Sequence, residues 1–304
     1  MKSILLTLFL FAACVTDHEL PPDRSITPVK VADVPSFCEG VVIGPSGTIY
    51  ISDVIGGIVY TVGNDGTLTP WAKTGEPNGH KILPDGTHLV CDGSRHAVLH
   101  LGADGSFLGN SASVSDGRPL KSPNDLTLDN HGGFYFTDPG DSWKETPTGT
   151  VHYVDSSGAV HTVLEGLAYP NGIVVRPDGG TLLLGESGNN RVLSFRVVAP
   201  GKLEGKDVFS DLPSPEEKNG EGLPDGMCLD KDGNLYIAHF GMGRIEVLDH
   251  SGKIIRRYQA GNQSVSNVAL GGPNQEQVYI TGALGDKDST PGALFRIDLA
   301  NIGH

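Results

Sequence analysis

Positive charge and cysteine are both scarce in this sequence. Its 304 residues include 22 Lys and Arg against 36 Asp and Glu, a formal net charge of −14, and the basic residues form no run. Because nucleic-acid backbones are bound through clustered Lys and Arg, this composition argues against a nucleic-acid partner. The four cysteines, at positions 14, 38, 91 and 228, include no Cys-x-x-Cys pair. That absence argues against a cysteine-based zinc or redox site.

Helical periodicity and long apolar runs are also missing. No stretch keeps apolar residues at the spacing of an amphipathic helix, and beyond the first fourteen residues no apolar run could cross a membrane. Glycine and proline are plentiful instead, with 42 and 20 copies, and 38% of the residues are hydrophobic. This balance predicts an all-β chain with many turns.

The N-terminus is predicted to be a targeting segment followed by a tether. Residues 1–14, MKSILLTLFLFAAC, place one lysine before a short apolar run, which is the pattern of an export signal. Phe11-Ala12-Ala13-Cys14 resembles a bacterial lipobox, in which the cysteine is lipidated; an ordinary secretory signal is the alternative. Residues 15–26 are polar and suit a tether. We therefore expect a periplasmic or cell-envelope lipoprotein, or otherwise a secreted protein, whose only membrane contact is a lipid at Cys14.

A cassette of strand, polar turn and second strand recurs six times. In one copy, Asn171-Gly172 begins a strand that is followed by the turn Pro177-Asp178-Gly179 and another strand. We call the first polar residue of each copy its anchor; the anchors are Glu39, Asn78, Asn124, Asn171, Asp225 and Asn267. They lie 39, 46, 47, 54 and 42 residues apart, and such a period is typical of propeller blades. The sequence predicts a six-bladed β-propeller with four-stranded blades over residues 27–304, with a strand between Ile26 and Pro35 completing the last blade.

The anchors predict a metal site. The first strand of each propeller blade lines the central channel, so the anchors should converge on the axis. All six carry side-chain oxygens, which suit a hard cation such as Ca²⁺, and the carboxylates of Glu39 and Asp225 would balance its charge. No anchor is Cys or His, which weighs against zinc or copper. The alternative is that Asn and Asp before Gly only form turns, but six aligned positions favour the metal.

Several motifs together resemble a known family. They are Glu39-Gly40, Ser122-Pro123-Asn124-Asp125, Tyr169-Pro170-Asn171-Gly172 and Leu223-Pro224-Asp225-Gly226-Met227. The chain is similar in these motifs to the family of regucalcin, gluconolactonases and luciferin-regenerating enzyme, six-bladed propellers that hydrolyse lactones at one divalent metal. The resemblance implies four metal ligands, which are Glu39, Asn124, Asn171 and Asp225. It also implies that Asp225 is the catalytic carboxylate and that a small lactone is the substrate.

The resemblance leaves the cation and the substrate open. Calcium is the first expectation, with zinc, manganese and magnesium as alternatives. Animal members of the family place an arginine two residues before the third-blade asparagine, whereas this chain has Ser122 there, with Lys121 beside it. The candidate substrate-binding residues are Asn78, His80, Lys121, His239 and Asn267.

The predicted reaction is hydrolysis of a lactone, with the metal polarising the carbonyl group and Asp225 assisting attack by water. The competing hypothesis is a non-catalytic propeller that binds a ligand or protein and uses its metal only for structure, because propellers host many functions. A loop over Gly140 to Thr150 is a candidate cover for one mouth of the channel, and a simple surface excursion is the alternative.

Overall fold

The computed structural model describes residues 20–23, 26–214, 222–285 and 290–300. In these residues the chain is all β apart from single short turns of 3-10 helix, with 26 strands numbered β1 to β26 in chain order. Twenty-four of them form six antiparallel four-stranded sheets, and β10 (Val114–Ser115) and β11 (Arg118–Pro119) form a separate hairpin. The predicted all-β fold is confirmed.

Each sheet is one blade, and its strands follow chain order outward from the axis. The first blade contains β2 (Cys38–Ile43), β3 (Ile49–Asp53), β4 (Ile58–Val62) and β5 (Leu68–Lys73), and the second contains β6 (Pro77–Ile82), β7 (His88–Asp92), β8 (Ala97–Leu101) and β9 (Phe107–Ala112). The third contains β12 (Leu126–Leu128), β13 (Phe134–Asp138), β14 (Gly149–Val154) and β15 (Val160–Leu167), and the fourth contains β16 (Pro170–Val175), β17 (Thr181–Glu186), β18 (Arg191–Ala199) and β19 (Lys202–Asp211). The fifth contains β20 (Leu223–Leu229), β21 (Leu235–Phe240), β22 (Arg244–Leu248) and β23 (Ile254–Gln259). The innermost strands of neighbouring blades contact one another.

The sixth blade closes the ring with a strand from the other end of the chain. It contains β24 (Ser264–Gly271), β25 (Gln277–Ala283) and β26 (Gly292–Asp298), and its outer strand is β1 (Val29–Val34). β1 pairs with β26 in antiparallel register, from Val29 opposite Arg296 to Val34 opposite Gly292. β24 also contacts β2 of the first blade, so the inner strands form a complete circle. The six-bladed architecture and the predicted closing strand are both confirmed.

The hydrophobic core is divided among the interfaces between blades. One cluster joins Leu89 of the second blade to Phe136 of the third, and another joins Tyr135 of the third blade to Ile173 of the fourth. Cys38 is fully buried in such an interface, and burial raises the pKa of its thiol to about 12. A thiol that stays protonated is a poor nucleophile, as expected for a small packing residue.

The N-terminal predictions fall mostly outside the described residues. The targeting segment and Cys14 lie outside them, as do residues 15–19 and 24–25 of the predicted tether. Leu20 and Pro21 lie against the outer strand of the fifth blade, where the Arg256 guanidinium donates to both carbonyl oxygens and Tyr258 Oη donates to that of Pro21. Contacts with the propeller thus reach back to Leu20. Within the described part of the chain, no helix is long and apolar enough to span a membrane.

Candidate metal centre

A pocket of about 320 Å³ opens where the six inner strands begin. Five of the six anchors line it; they are Glu39, Asn78, Asn124, Asn171 and Asp225. Four of these five are the predicted metal ligands Glu39, Asn124, Asn171 and Asp225. Each of the four is at most 7% exposed. Side chains from five blades, spread over almost 190 residues of sequence, therefore meet at one place.

A break in strand pairing presents three of the anchors to the pocket. Between β16 and β17 the register shifts between Pro170 and Ile173, so Asn171 and Gly172 have no partner on the neighbouring strand. The same shift spans Asp225 in the fifth blade and Asn78 in the second. A bulge of this kind turns a side chain away from the face it would otherwise occupy, and here it turns the anchor toward the axis.

The glycine after an anchor allows the inner strands to approach one another. A Cβ atom on Gly172 would lie 2.2 Å from the carbonyl oxygen of Asp225, and one on Gly40 would lie 2.0 Å from that of Asn78. Both distances are far below contact distance, so any larger residue would push the neighbouring blade outward. The anchor-Gly pair therefore sets the width of the ring as well as the position of the polar side chain.

The anchor oxygens fit a hard cation. Among the described residues, the buried Oδ1 atoms of Asn78 and Asn124 are without a hydrogen-bond partner, although buried polar atoms are normally satisfied. They share the pocket with the carboxylates of Glu39 and Asp225. Two carboxylates and several amide oxygens form a donor set typical of calcium. The described residues contain no group of three or more His, Cys, Asp and Glu side chains that could hold a metal. A cation in this pocket would therefore depend on the side-chain amide oxygens of the anchors.

The sixth anchor was assigned one residue too late. Val268 of the sixth blade pairs with Ile280, and Val41 of the first blade pairs with Ile51 at the equivalent place. Glu39 lies two residues before Val41, so its counterpart in the sixth blade is Ser266, two residues before Val268. Asn267 occupies the position that is glycine in four of the other blades, and its Oδ1 accepts a hydrogen bond from the amide of Val268 at 2.8 Å. Asn267 does not line the pocket, which speaks against the predicted substrate contact.

Ser266 is engaged elsewhere. Its hydroxyl donates to the carbonyl oxygen of Cys38 at 2.6 Å and so ties the sixth blade to the first. The donor ring is therefore open on the side of the sixth blade.

Three other candidate substrate residues lie outside the pocket wall. His80 is buried between the first two blades, with its Nε2 2.8 Å from His88 Nδ1 and its ring stacked on Trp71. His239 is fully buried and contacts Glu246 and Asn190. Neither lines the pocket, which speaks against contact with substrate.

Lys121 also lies away from the pocket wall. Its Nζ donates to the carbonyl oxygen of Thr148, and its backbone amide donates to the Asp138 carboxylate at 2.9 Å. Burial alone would raise the pKa of Asp138, but its hydrogen bonds, led by that from His152, lower it below the ordinary value. Asp138 thus holds the loop that enters the third blade. Asn78 is the one candidate substrate residue that does line the pocket.

A second ring of side chains, of which the sequence drew attention to Ser122 but not to the ring as a whole, lies beside the anchors. Its members are each two residues before an anchor and also line the pocket; they are Phe37, Glu76, Ser122, Tyr169 and Leu223. Burial and the negative charges of Asp225 and Glu39 raise the pKa of Tyr169 to about 12, so its hydroxyl remains protonated. The repeat register that located the anchors would also have located this ring.

The loop between β13 and β14 contributes to the pocket wall, as the sequence suggested. Trp143 on this loop lines the pocket, and its ring stacks on Tyr169 with centroids 4.6 Å apart. The preceding residue, Ser142, is fully buried and accepts a hydrogen bond from the Tyr169 amide at 3.0 Å. The loop is therefore fixed to the start of the fourth blade.

Comparisons with known proteins agree with the six-bladed fold and identify the family. The family model for the SMP-30/gluconolactonase/LRE-like region matches residues 37–284. The chain is 30% identical to the pentonolactonase of Haloferax volcanii over 233 residues, 72% of this chain and 77% of the relative. A gluconolactonase structure from Xanthomonas campestris superposes with a TM-score of 0.77 at 24% identity over 91% of both chains. A calcium-binding regucalcin from Agrobacterium tumefaciens gives a TM-score of 0.74 at 21% identity over 89% of this chain and 94% of that one.

Proposed function

The chain belongs to the SMP-30/gluconolactonase/LRE-like family, and on that premise we propose that it hydrolyses lactones at one divalent cation in the channel pocket. The observation that carries the proposal is the meeting of Glu39, Asn124, Asn171 and Asp225 in a single pocket. The pentonolactonase and gluconolactonase relatives support lactone opening. The calcium-binding regucalcin supports calcium as the cation.

The proposed ligands are the four residues of the sequence prediction. Asn124 brings a buried Oδ1 atom that no described hydrogen-bond donor satisfies, and the two carboxylates bring the charge that a divalent cation requires. A bound cation supplies Lewis-acid stabilisation of the negative charge that develops on the lactone carbonyl oxygen.

Asp225 is the proposed acid-base residue. The oxygen of a water molecule forms a bond to the acyl carbon while Asp225 accepts a proton from that water. The bond between the acyl carbon and the ring oxygen then breaks, and the ring oxygen receives the proton from Asp225. The product is a hydroxy acid, which ionises in neutral solution. General acid-base assistance of this kind contributes about 10²–10⁴-fold in rate.

A pH-indicator assay over a panel of lactones, with and without chelator, tests the proposal. We expect acid release that stops on chelation and returns with Ca²⁺, while Zn²⁺, Mn²⁺ and Mg²⁺ added separately identify which cation supports the reaction. The metal content of the purified protein is measured in parallel. If the protein holds its cation and opens no lactone in the panel, the non-catalytic binding propeller is the better description.

A further inference from the structure

Several large apolar side chains line the pocket beside the anchors. In the ring two residues before the anchors, Phe37, Tyr169 and Leu223 come from the first, fourth and fifth blades. Val54 and Ile55 line the pocket beside Phe37, and Ile55 is 61% exposed. Large apolar side chains left accessible inside a pocket favour an apolar ligand group.

Two aromatic pairs hold the side chains of this wall against one another. Trp143 and Tyr169 stack with an interplanar angle of 20°, and Phe37 meets Phe240 edge to face with centroids 6.4 Å apart. Tyr169 has a left-handed backbone, with φ of 49°, which is uncommon for a residue other than glycine and concentrates at functional sites. Trp143 nevertheless keeps 43% of its surface exposed. A flat face held in place and left uncovered is suited to contact with a ligand.

The charges in the pocket have one sign. The charged residues that line it are Glu39, Glu76 and Asp225, and none of the described lining residues is Lys or Arg. One divalent cation would balance only two of these carboxylates, and Glu76 would stay as a negative charge near Ser122. An anionic substituent would meet repulsion here and no basic partner.

We propose that the substrates are compact, neutral lactones with an apolar substituent, which lies against Trp143, Tyr169 and Phe240 while the ring carbonyl faces the anchors. This inference rests on the proposed lactone hydrolysis and names its substrate class. The volume of about 320 Å³ is at the lower end of ligand pockets and limits the substrate to one ring with a short chain or a second ring.

The test compares lactones that share a six-membered ring. We expect kcat/KM for δ-decalactone, which has an alkyl chain, to exceed that for polyhydroxylated glucono-δ-lactone by about tenfold or more, because each buried methylene adds a favourable transfer free energy. The 6-phosphate of gluconolactone should be the poorest substrate. Equal or greater activity on glucono-δ-lactone would overturn the inference and leave the proposed hydrolysis intact. Activity on none of these, nor on unsubstituted δ-valerolactone, would overturn the proposed function and the inference with it.

A variant of the apolar wall tests the same inference from the protein side. Trp143→Ala should lower the ratio of kcat/KM for δ-decalactone to that for δ-valerolactone about tenfold, mainly through KM, and Trp143→Phe should restore most of it. The matched control is Phe107→Ala, which removes an aromatic ring that is 56% exposed on β9, away from the pocket, and should keep the ratio. An unchanged ratio in a folded Trp143→Ala protein would contradict the inference.

Discussion

The same kind of tripeptide occurs in two regions of the second and fourth blades for different physical reasons. Pro84-Asp85-Gly86 lies at the turn between β6 and β7, and Pro170-Asn171-Gly172 lies at the start of β16. At the turn, Asp85 Oδ1 accepts hydrogen bonds from the amide and hydroxyl of Thr87. At the inner strand, Asn171 is 6% exposed and lines the pocket. The polar side chain accepts hydrogen bonds that stabilise the turn in the first region, and it lines the channel pocket in the second.

The glycines of the two tripeptides differ in the same way. Gly86 has φ of 84°, and a Cβ atom there would meet nothing within 4 Å. Gly172 has no positive φ, yet its Cβ atom would lie 2.2 Å from the Asp225 carbonyl oxygen. Glycine is required at the turn for its conformation and at the inner strand for its small size. A turn-only interpretation of these tripeptides is therefore correct for one region and incomplete for the other.

The largest expected effect on activity comes from replacing the carboxylate of an anchor with an amide. Asp225→Asn should lower kcat/KM for lactone hydrolysis by about 10²–10⁴-fold, because an amide cannot accept the proton from water. Asp178→Asn is the matched control, since Asp178 accepts a hydrogen bond from the Gly180 amide in a turn and an asparagine oxygen can do the same. Its activity should stay within about twofold of the wild type. Full hydrolysis by Asp225→Asn with the cation bound would refute the assigned role.

Sequence periodicity predicted the blades because each one is a local unit of alternating strands and turns. The apolar runs and the glycine-containing turns between them locate the first two strands of every blade, and the spacing of the anchors gives the number of blades. Closure by β1 was also predictable, because the segment from Ile26 to Pro35 precedes the first anchor and pairs with nothing nearby in sequence. These features follow from short-range patterns in the chain.

The exact register of the sixth inner strand was not predictable. Asn267 precedes Val268 and Ala269 and so looks like an anchor, but the bulge has no sequence pattern of its own, and it places Ser266 at the position that anchors occupy in the other blades. His80 was predicted to bind substrate, but for the same reason it lies in the interface between two blades, where it packs on Trp71. Trp143 lies on a loop outside the repeat, so only the folded chain shows that it reaches Tyr169.

A stability comparison between the two glycines should give an intermediate effect. Gly172→Ala forces a methyl group against the backbone of the neighbouring blade, and we expect a loss of about 3 kcal/mol in the free energy of unfolding together with reduced activity. Gly86→Ala strains only its own left-handed backbone in open space, at about 1 kcal/mol, with activity retained. Denaturant unfolding of both variants gives the two values. Equal losses would mean that close approach of the blades does not determine the need for glycine at position 172.

The smallest expected effect is electrostatic and belongs to the turn. Hydrogen bonds from the Thr87 hydroxyl and amide lower the pKa of Asp85 below its ordinary value of 3.8. The ionised form is thus favoured in the folded protein, so its contribution to stability is present above pH 3.8 and is lost as the pH falls through the lower folded value. Asp85→Asn keeps the acceptor and removes only the charge.

The melting temperature of Asp85→Asn should therefore lie slightly below that of the wild type at pH 7, and the difference should close as the solution is acidified below pH 3.8. Thermal unfolding of both proteins across this range, at constant ionic strength, measures the difference. Because Asp85 accepts its hydrogen bonds within an exposed turn, lactone hydrolysis at neutral pH should not change. A difference in melting temperature that widened on acidification would contradict the turn assignment, because the charge would then be less favourable in the folded state than in the unfolded one.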